Sequence, residues 1–152
     1  MAITQNQKQL VITSFKKVEP ISEVAADIFY KKLFEYDPSL KVLFKSDIKS
    51  QGKKLMAALK LAVSSLNDLD ALVPVLQKMA IKHVEYGVKV EDYTAVGNAL
   101  LYALSQGLGE GFTKELRAAW ADTYKVMATV MRQAAYPTYN PDTYTNHKHY
   151  VH

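Results

Sequence analysis

The chain has 152 residues, of which 49% are hydrophobic, and a formal net charge of +4. This length suffices for one domain with a sizeable core, and we expect no second catalytic domain within it. Cysteine is absent, which excludes disulfides, thiolate chemistry and iron–sulfur ligation. The first residues lack a basic segment followed by an apolar run, and no apolar stretch approaches the roughly 20 residues of a membrane span. We therefore expect a cytoplasmic protein that does not enter a membrane.

The first half of the chain is patterned as helices, because apolar residues recur at intervals of three and four. Thr4 and Gln7 have the spacing of a capping box and predict the start of a first helix. Pro20 opens a second helix. Asp37 followed by proline combines an N-cap residue with a favoured first-turn residue, which predicts a short helix. Residues 48–66 follow as a long amphipathic helix, so the pattern indicates an all-α fold.

The second half continues the helical pattern, with breakers at the ends of its helices. Residues 67–68 end the preceding helix, and the next one runs to Gly87, a predicted left-handed stop. Another helix is predicted over 91–106. The turn after it contains three glycines, Gly107, Gly109 and Gly111. Thr113 is then placed to cap a last long helix that ends near Ala135.

The composition changes after the last helix to tyrosine, threonine, asparagine, proline and histidine. We expect residues 136–152 to form a flexible tail. Its histidines and three of its tyrosines are His147, His149, His152, Tyr139, Tyr144 and Tyr150. Closely spaced histidines on a flexible segment predict weak, non-specific metal chelation. The tyrosines offer a different role, docking on a partner or on a second subunit.

Positive charge is concentrated in one stretch, where six lysines accompany a single acid, Asp47. The lysines are Lys41, Lys45, Lys49, Lys53, Lys54 and Lys60. A solvated helix face is the ordinary explanation of such a run. We expect no nucleic-acid partner, because the stretch lacks interleaved aromatic residues and any known docking motif. An acidic protein partner, such as a reductase, fits the charge better.

His83 is the only histidine before the last six residues, and it lies on an apolar helical face. When 74–85 is taken as a helix at about 100° per residue, Leu76 and Met79 fall within about 40° of His83. A buried imidazole needs a partner for each ring nitrogen. Two interpretations follow: a core histidine satisfied by backbone or water, or a ligand.

Two further polar groups lie on apolar faces of predicted helices. Gln51 is the polar member of a stripe that continues through Leu55, Ala58 and Ala62. Tyr30 lies among apolar and aromatic residues of the second helix, where a buried hydroxyl seeks a partner. Both could face the histidine across an apolar cavity. Alternatively, Gln51 is a solvated surface residue and Tyr30 an ordinary core aromatic.

A series of short motifs runs through residues 5–135. Its members are Phe29-Tyr30-Lys31-Lys32-Leu33-Phe34, Asp37-Pro38, Leu43-Phe44, Ser50-Gln51, Lys54-Leu55, His83, Tyr86-Gly87-Val88, Tyr93, Val96-Gly97, Trp120 and Tyr124. In order and spacing this series resembles the bacterial single-domain haemoglobins, which are similar to the haem domains of flavohaemoglobins and to Vitreoscilla-type globins. The resemblance implies a globin fold over residues 1–135, a three-over-three helical sandwich around a haem.

The resemblance also implies haem b, iron protoporphyrin IX, as the cofactor. His83 would be the proximal iron ligand, and Phe44 would stack on the haem. Tyr30 and Gln51 would form the distal pair, whose hydroxyl and amide can donate hydrogen bonds to bound dioxygen. Glutamine does not readily ligate iron, so one axial position stays open for a diatomic gas. We therefore expect high oxygen affinity.

Five further residues are expected around the haem: Lys54, Leu55, Met79, Val88 and Tyr93. Leu55 would restrict access above the iron, and Met79 adds to the dry wall that a porphyrin needs. Lys54 could reach a haem propionate. Two alternatives are open for Lys54, a solvated side chain and a sixth ligand in the resting ferric state.

One departure from the flavohaemoglobin pattern concerns the proximal side. In that branch a glutamate on the last helix joins a tyrosine and the proximal histidine. Tyr93 keeps the tyrosine position, but counting without gaps from Tyr124 places Ala135 at the glutamate position. We therefore expect the second ring nitrogen of His83 to donate to a backbone carbonyl one turn back, with the imidazole close to neutral. This favours reversible ligand binding over peroxidase-like chemistry.

Three functions follow from these observations. The first is a haem protein that reversibly binds dioxygen for storage, delivery or scavenging, as a monomer or a weak homo-oligomer. The second is an enzyme, a nitric oxide dioxygenase, which requires electrons from a separate reductase. The third is a haem-based sensor or a haem-free interaction module, which loss of His83 or added signalling segments would indicate.

Overall fold

The computed structural model describes residues 3–44 and 47–146. Within these ranges it contains six α-helices, three short 3-10 segments and no β-strand, which confirms the all-α prediction. The helices are α1 (Gln5–Val18), α2 (Ser22–Tyr36), α3 (Ile48–Ser64), α4 (Leu69–Glu85), α5 (Asp92–Leu108) and α6 (Lys114–Ala135). None of the helices in the described ranges combines the length and apolar character that crossing a membrane requires.

Side-chain caps fix several of the helix ends where the sequence predicts them. Thr4 and Gln7 form the reciprocal capping box before α1. The Asp37 carboxylate accepts a hydrogen bond from the Ser39 backbone N–H at 3.2 Å. It thereby begins the 3-10 segment Pro38–Leu43. Thr113 likewise accepts from a backbone N–H in the first turn of α6.

The helix that carries His83 begins earlier than the stretch 74–85 used to place that residue. It begins at Leu69, after the Asp68 carboxylate accepts a hydrogen bond from the Ala71 backbone N–H at 3.4 Å. Pro74 therefore lies inside the helix, where it removes one backbone hydrogen bond. Pro74 itself is exposed, and burial of Leu72 on the opposite side of the helix offsets this loss.

The glycine turns differ from each other in their backbone geometry. Gly87 has a φ of 96° and ends α4 as predicted. The turn after α5 is formed by Gly109, whose φ is 55°. Gly107, which was expected in that turn, still lies within α5.

Two apolar clusters form the core, and α6 contributes to both. The first surrounds Trp120, which is 0% exposed, and joins α1, α2, α3, α5 and α6. The second joins α4 to α6 through Leu76, Ala80 and Met131. α3 packs mainly against α2, and α4 mainly against α6. α3, which carries Gln51, and α4, which carries His83, are therefore held in place mainly by different helices.

Candidate functional site

His83 lies on α4 and is half-buried. Its Nδ1 atom lies 2.6 Å from the carbonyl oxygen of Met79, one turn earlier on the helix. A carbonyl can only accept a hydrogen bond, so Nδ1 carries the proton and Nε2 keeps its lone pair. Burial lowers the pKa of His83, while the bond to Met79 opposes this shift. The structure thus contains the predicted backbone contact and a neutral imidazole with one nitrogen available as a ligand.

Tyr93 forms a wall beside this imidazole. The ring centroids of His83 and Tyr93 lie 6.5 Å apart, with an angle of 23° between the planes. The Tyr124 hydroxyl donates to the Tyr93 carbonyl oxygen at 2.6 Å and holds the backbone in place. Burial, followed by the proximity of Tyr136, raises the pKa of Tyr93. Among residues 3–44 and 47–146, no group hydrogen-bonds to the buried Tyr93 hydroxyl.

Tyr30 lies on α2 and is 5% exposed. Its hydroxyl donates to the backbone carbonyl oxygen of Gln51 on α3, at 3.2 Å. Burial raises the pKa of Tyr30 to about 12, so the hydroxyl stays protonated as a donor at neutral pH. The structure therefore brings Tyr30 and Gln51 together, but through the main chain of Gln51, whereas the sequence interpretation used its side-chain amide.

The remaining predicted haem-site residues fall into the two apolar clusters. On the side of Tyr30, Phe44 packs edge-on to the tyrosine ring at 5.3 Å. Leu55 is half-buried against the same cluster. On the side of His83, Met79 and Val88 pack with the second cluster. A haem needs a neutral imidazole and two apolar surfaces for the porphyrin, and the residues present fit both requirements.

Lysine side chains lie exposed along α3 and in the segment before it. The exposed lysines are Lys41, Lys49, Lys53, Lys54 and Lys60. Lys60 lies 3.5 Å from the Glu19 carboxylate, and Lys45 lies outside the described residues. Exposure of Lys54 on the stripe next to Leu55 suits the predicted contact with a haem propionate, which stays a prediction.

Arg132 and Tyr136 contact predicted site residues, Tyr93 and Val88, and the sequence interpretation did not name them. Position 135, compared above with a glutamate, is a half-buried alanine. One turn earlier along α6, the Arg132 guanidinium carbon lies 5.4 Å from the centroid of the Tyr93 ring. The Tyr136 hydroxyl donates to the carbonyl oxygen of Val88. A signal was available, because Arg132 is one of only two arginines in the chain.

The first part of the predicted flexible tail packs on the proximal side. The rings of Tyr139 and Tyr144 have centroids 5.4 Å apart, and both lie near the Arg132 guanidinium. The Asn146 amide donates to the Glu91 carbonyl oxygen at 3.4 Å. These two tyrosines thus contact their own chain. The flexibility of the tail as a whole stays a prediction, and its remaining named residues, His147, His149, Tyr150 and His152, lie outside the described residues.

Comparisons with known proteins agree with this geometry. The sequence profile of the Globin family matches residues 27–131. A flavohemoprotein from Halalkalibacterium halodurans is 29% identical over 134 residues, which cover 86% of this chain and 33% of that protein. A neuroglobin from Chaenocephalus aceratus is 28% identical over 145 residues, covering 86% of this chain and 91% of that protein. The chain thus spans about a third of the flavohemoprotein, but most of the neuroglobin.

A solved structure gives the same result for the fold. It is an engineered carbene transferase made from a candidate nitric oxide dioxygenase of Rhodothermus marinus, and it superposes with a TM-score of 0.81. The two sequences are 26% identical, and the superposition covers 91% of this chain and 96% of the other. Together with the profile match and the arrangement around His83, these similarities show that the chain belongs to the globin family and is a haem globin.

Proposed function

We propose that the chain binds haem b through the Nε2 atom of His83 and reversibly binds dioxygen. The observation that supports this most directly is the contact of His83 Nδ1 with the Met79 carbonyl oxygen at 2.6 Å. This contact fixes both the tautomer and the orientation of the ring, which a metal-binding histidine requires. The neutral carbonyl adds less electron density to the imidazole than a carboxylate would. Such a site favours reversible binding of dioxygen over cleavage of the O–O bond.

Haem iron supplies the position at which a diatomic gas is held, and the distal residues set how long it stays. Tyr30 is a protonated donor next to α3. Its contact with the Gln51 carbonyl oxygen is long, at 3.2 Å, so exchanging it for a shorter bond to dioxygen costs little. The Gln51 amide is the second proposed donor, and Phe44 and Leu55 keep water away from both.

A nitric oxide dioxygenase is the second candidate, because one relative is a flavohemoprotein and the superposed structure is described as a candidate nitric oxide dioxygenase. That reaction oxidises the iron at each turnover, so it requires a reductase. The exposed lysines on and before α3 form a positive surface on which an acidic reductase could dock. Under this proposal the enzyme activity depends on that partner.

Absorption spectra test the haem proposal directly. Purified protein, reconstituted with haem, should give a five-coordinate ferrous spectrum after reduction and a persistent oxygenated spectrum when air is admitted. The variant His83→Ala should lose this spectrum and regain a five-coordinate ferrous form when imidazole is added. Lys78→Ala, an exposed position on the same helix, is the matched control. The proposal would be wrong if the protein took up no haem, or if His83→Ala gave the same spectrum as the wild type.

Nitric oxide turnover separates the two candidate functions. A single stoichiometric reaction of the oxygenated protein with nitric oxide is expected of any oxygen-binding globin. Repeated turnover should occur only with an acidic reductase present, and it should weaken at high salt. If a reductase sustains many turnovers, and Lys49→Glu with Lys53→Glu abolishes them, the enzyme proposal is favoured. Stoichiometric reaction alone favours oxygen binding.

A further inference from the structure

Arg132 connects the last helix to the segment that follows the proximal histidine. Its Nε atom donates to the Val90 carbonyl oxygen at 3.0 Å. One of its terminal nitrogens donates to the Thr94 hydroxyl at 3.1 Å. Val90 precedes α5 and Thr94 lies in its first turn. The guanidinium therefore ties the α4–α5 connection to α6 through two hydrogen bonds.

The same guanidinium contacts the aromatic ring beside the proximal histidine. The ring centroids of Tyr93 and His83 lie 6.5 Å apart, with nearly parallel planes. The Arg132 guanidinium carbon lies 5.4 Å from the Tyr93 centroid. A cation over an aromatic ring attracts it and restricts its position. Movement of Arg132 would therefore shift the Tyr93 ring, which lies beside the His83 imidazole.

Asp92 is a second charged group that acts on Tyr93. Asp92, at the start of α5, is 3% exposed, and its carboxylate accepts a hydrogen bond from the Lys89 backbone N–H at 2.9 Å. Asp92 raises the pKa of Tyr93 and Arg132 lowers it, so the two charges act on this tyrosine with opposite sign.

Residues after α6 pack against Arg132 and the α4–α5 connection. The Tyr144 and Tyr139 ring centroids lie 4.9 Å and 5.7 Å from the Arg132 guanidinium carbon. Tyr136 binds the Val88 carbonyl oxygen, and Asn146 binds that of Glu91. The segment 136–146 therefore makes contact with both the arginine and the connection that the arginine holds.

We propose that Arg132 is a positioning residue of the proximal site. It fixes Tyr93 beside His83 and favours the ferrous state of the haem, and the segment 136–146 packs on it. The proposal rests on the proposed function for its haem-dependent part. Where a proximal carboxylate would enrich the imidazole in electrons, a cation against the Tyr93 ring acts in the opposite direction. The result is a site biased towards holding a reversible gas ligand.

Hydrogen exchange on the haem-free protein tests the positional part without any haem. In Arg132→Gln, amides within residues 83–94 should exchange about tenfold faster, since this segment loses two hydrogen bonds and the cation–π contact at Tyr93. Exchange in α2 serves as an internal reference for global stability. Arg117→Gln, at the exposed arginine of the same helix, is the matched control. If both variants leave residues 83–94 unchanged, or if exchange rises equally in α2, the proposal is wrong.

The haem-loaded protein tests the consequence for the iron. In Arg132→Gln the haem reduction potential should fall and the iron–histidine stretching band should shift, whereas Arg117→Gln should change neither. Arg132→Lys keeps the charge but not the planar contacts, so it should shift the band while largely preserving the potential. Unchanged values in Arg132→Gln would overturn the proposal. Failure of the wild-type protein to take up haem would instead refute the proposed function, and with it the role of Arg132 at the iron. The hydrogen-exchange test would still decide whether Arg132 positions residues 83–94.

Discussion

The Nδ1 atom of His83 lies 2.6 Å from the carbonyl oxygen of Met79, a contact that exists only while the ring is held in the folded helix. Burial lowers the pKa of His83 below its ordinary 6.5. The folded protein therefore binds this proton less readily than the unfolded chain does. Its stability contribution is complete above pH 6.5 and is lost as the pH falls through the lowered pKa.

This sign gives the first prediction, on acid stability. Unfolding free energies of the haem-free protein, measured from pH 8 to pH 4, should fall more steeply for the wild type than for His83→Gln. The excess slope should not exceed about 1.4 kcal/mol per pH unit, the value for one proton. The other three histidines are the same in both proteins. Parallel curves would show that His83 titrates as it does in the unfolded chain.

The second prediction concerns the distal hydroxyl. Tyr30→Phe removes one proposed hydrogen bond to dioxygen, so the dissociation rate of the gas should rise about tenfold or more. Stopped-flow displacement of dioxygen by carbon monoxide measures this rate. Tyr102→Phe, at a half-buried tyrosine on α5, is the control and should leave the rate unchanged. An unaltered rate in Tyr30→Phe would remove Tyr30 from the distal site.

Alkaline stability gives a third prediction from the same residue. Because burial raises the pKa of Tyr30 from 10.0 to about 12, the folded state holds this proton more tightly than the unfolded chain. The contribution is complete below pH 10 and is lost as the pH rises through about 12. Tyr30→Phe should therefore gain up to about 2 kcal/mol relative to the wild type between pH 9 and pH 12. Chemical denaturation at each pH measures the difference, and a constant difference would contradict the assignment.

The sequence predicted those parts of the fold that depend on local signals. The capping box at Thr4, the cap at Thr113 and the left-handed Gly87 are each specified by residues within one turn of the helix end. The contact of His83 with Met79 was also predictable, because a helix places the carbonyl of residue 79 directly behind residue 83.

The parts that were missed depend on contacts between distant segments. Arg132 meets Val90 across 42 positions, and Tyr136 meets Val88 across 48. The spacing from Tyr124 points to residue 135. The contacts with the proximal segment come instead from Arg132 and Tyr136, which are four residues apart and lie on one side of the helix end. For Tyr30, burial was predictable from its apolar neighbours. Its choice of the Gln51 backbone over the amide was not, because that depends on the spacing between α2 and α3.

The fourth prediction tests the packing between α5 and α6. A Cβ atom at Gly97 would lie 2.7 Å from a ring carbon of Tyr124, so Gly97→Ala must displace this ring and weaken its hydrogen bond to the Tyr93 carbonyl oxygen. We expect a loss of about 1–3 kcal/mol in unfolding free energy. Gly111→Ala, where a Cβ would meet nothing within 4 Å, is the control. Equal stability of Gly97→Ala and the wild type would mean that the tyrosine ring is loosely held.

The fifth prediction tests the buried bond at the centre of the first cluster. The Nε1 atom of Trp120, the only tryptophan in the chain, donates to the Ser14 hydroxyl at 2.9 Å, and that hydroxyl donates to the Val11 carbonyl oxygen at 3.0 Å. Ser14→Ala leaves the indole N–H without this acceptor in an apolar interior, so the unfolding free energy should fall by about 1–3 kcal/mol. Urea denaturation followed by tryptophan fluorescence measures this loss.

Ser64→Ala is the matched control for this change, because the Ser64 hydroxyl also donates to a carbonyl oxygen of its own helix, that of Lys60, but is exposed. Its loss should cost about 0.5 kcal/mol or less, since water replaces the bond at an exposed site. In addition, the tryptophan emission spectrum of native Ser14→Ala should change, while that of Ser64→Ala should match the wild type. If the two variants lose equal stability, the indole N–H has an alternative acceptor, and the bond between α1 and α6 does not stabilise the first cluster.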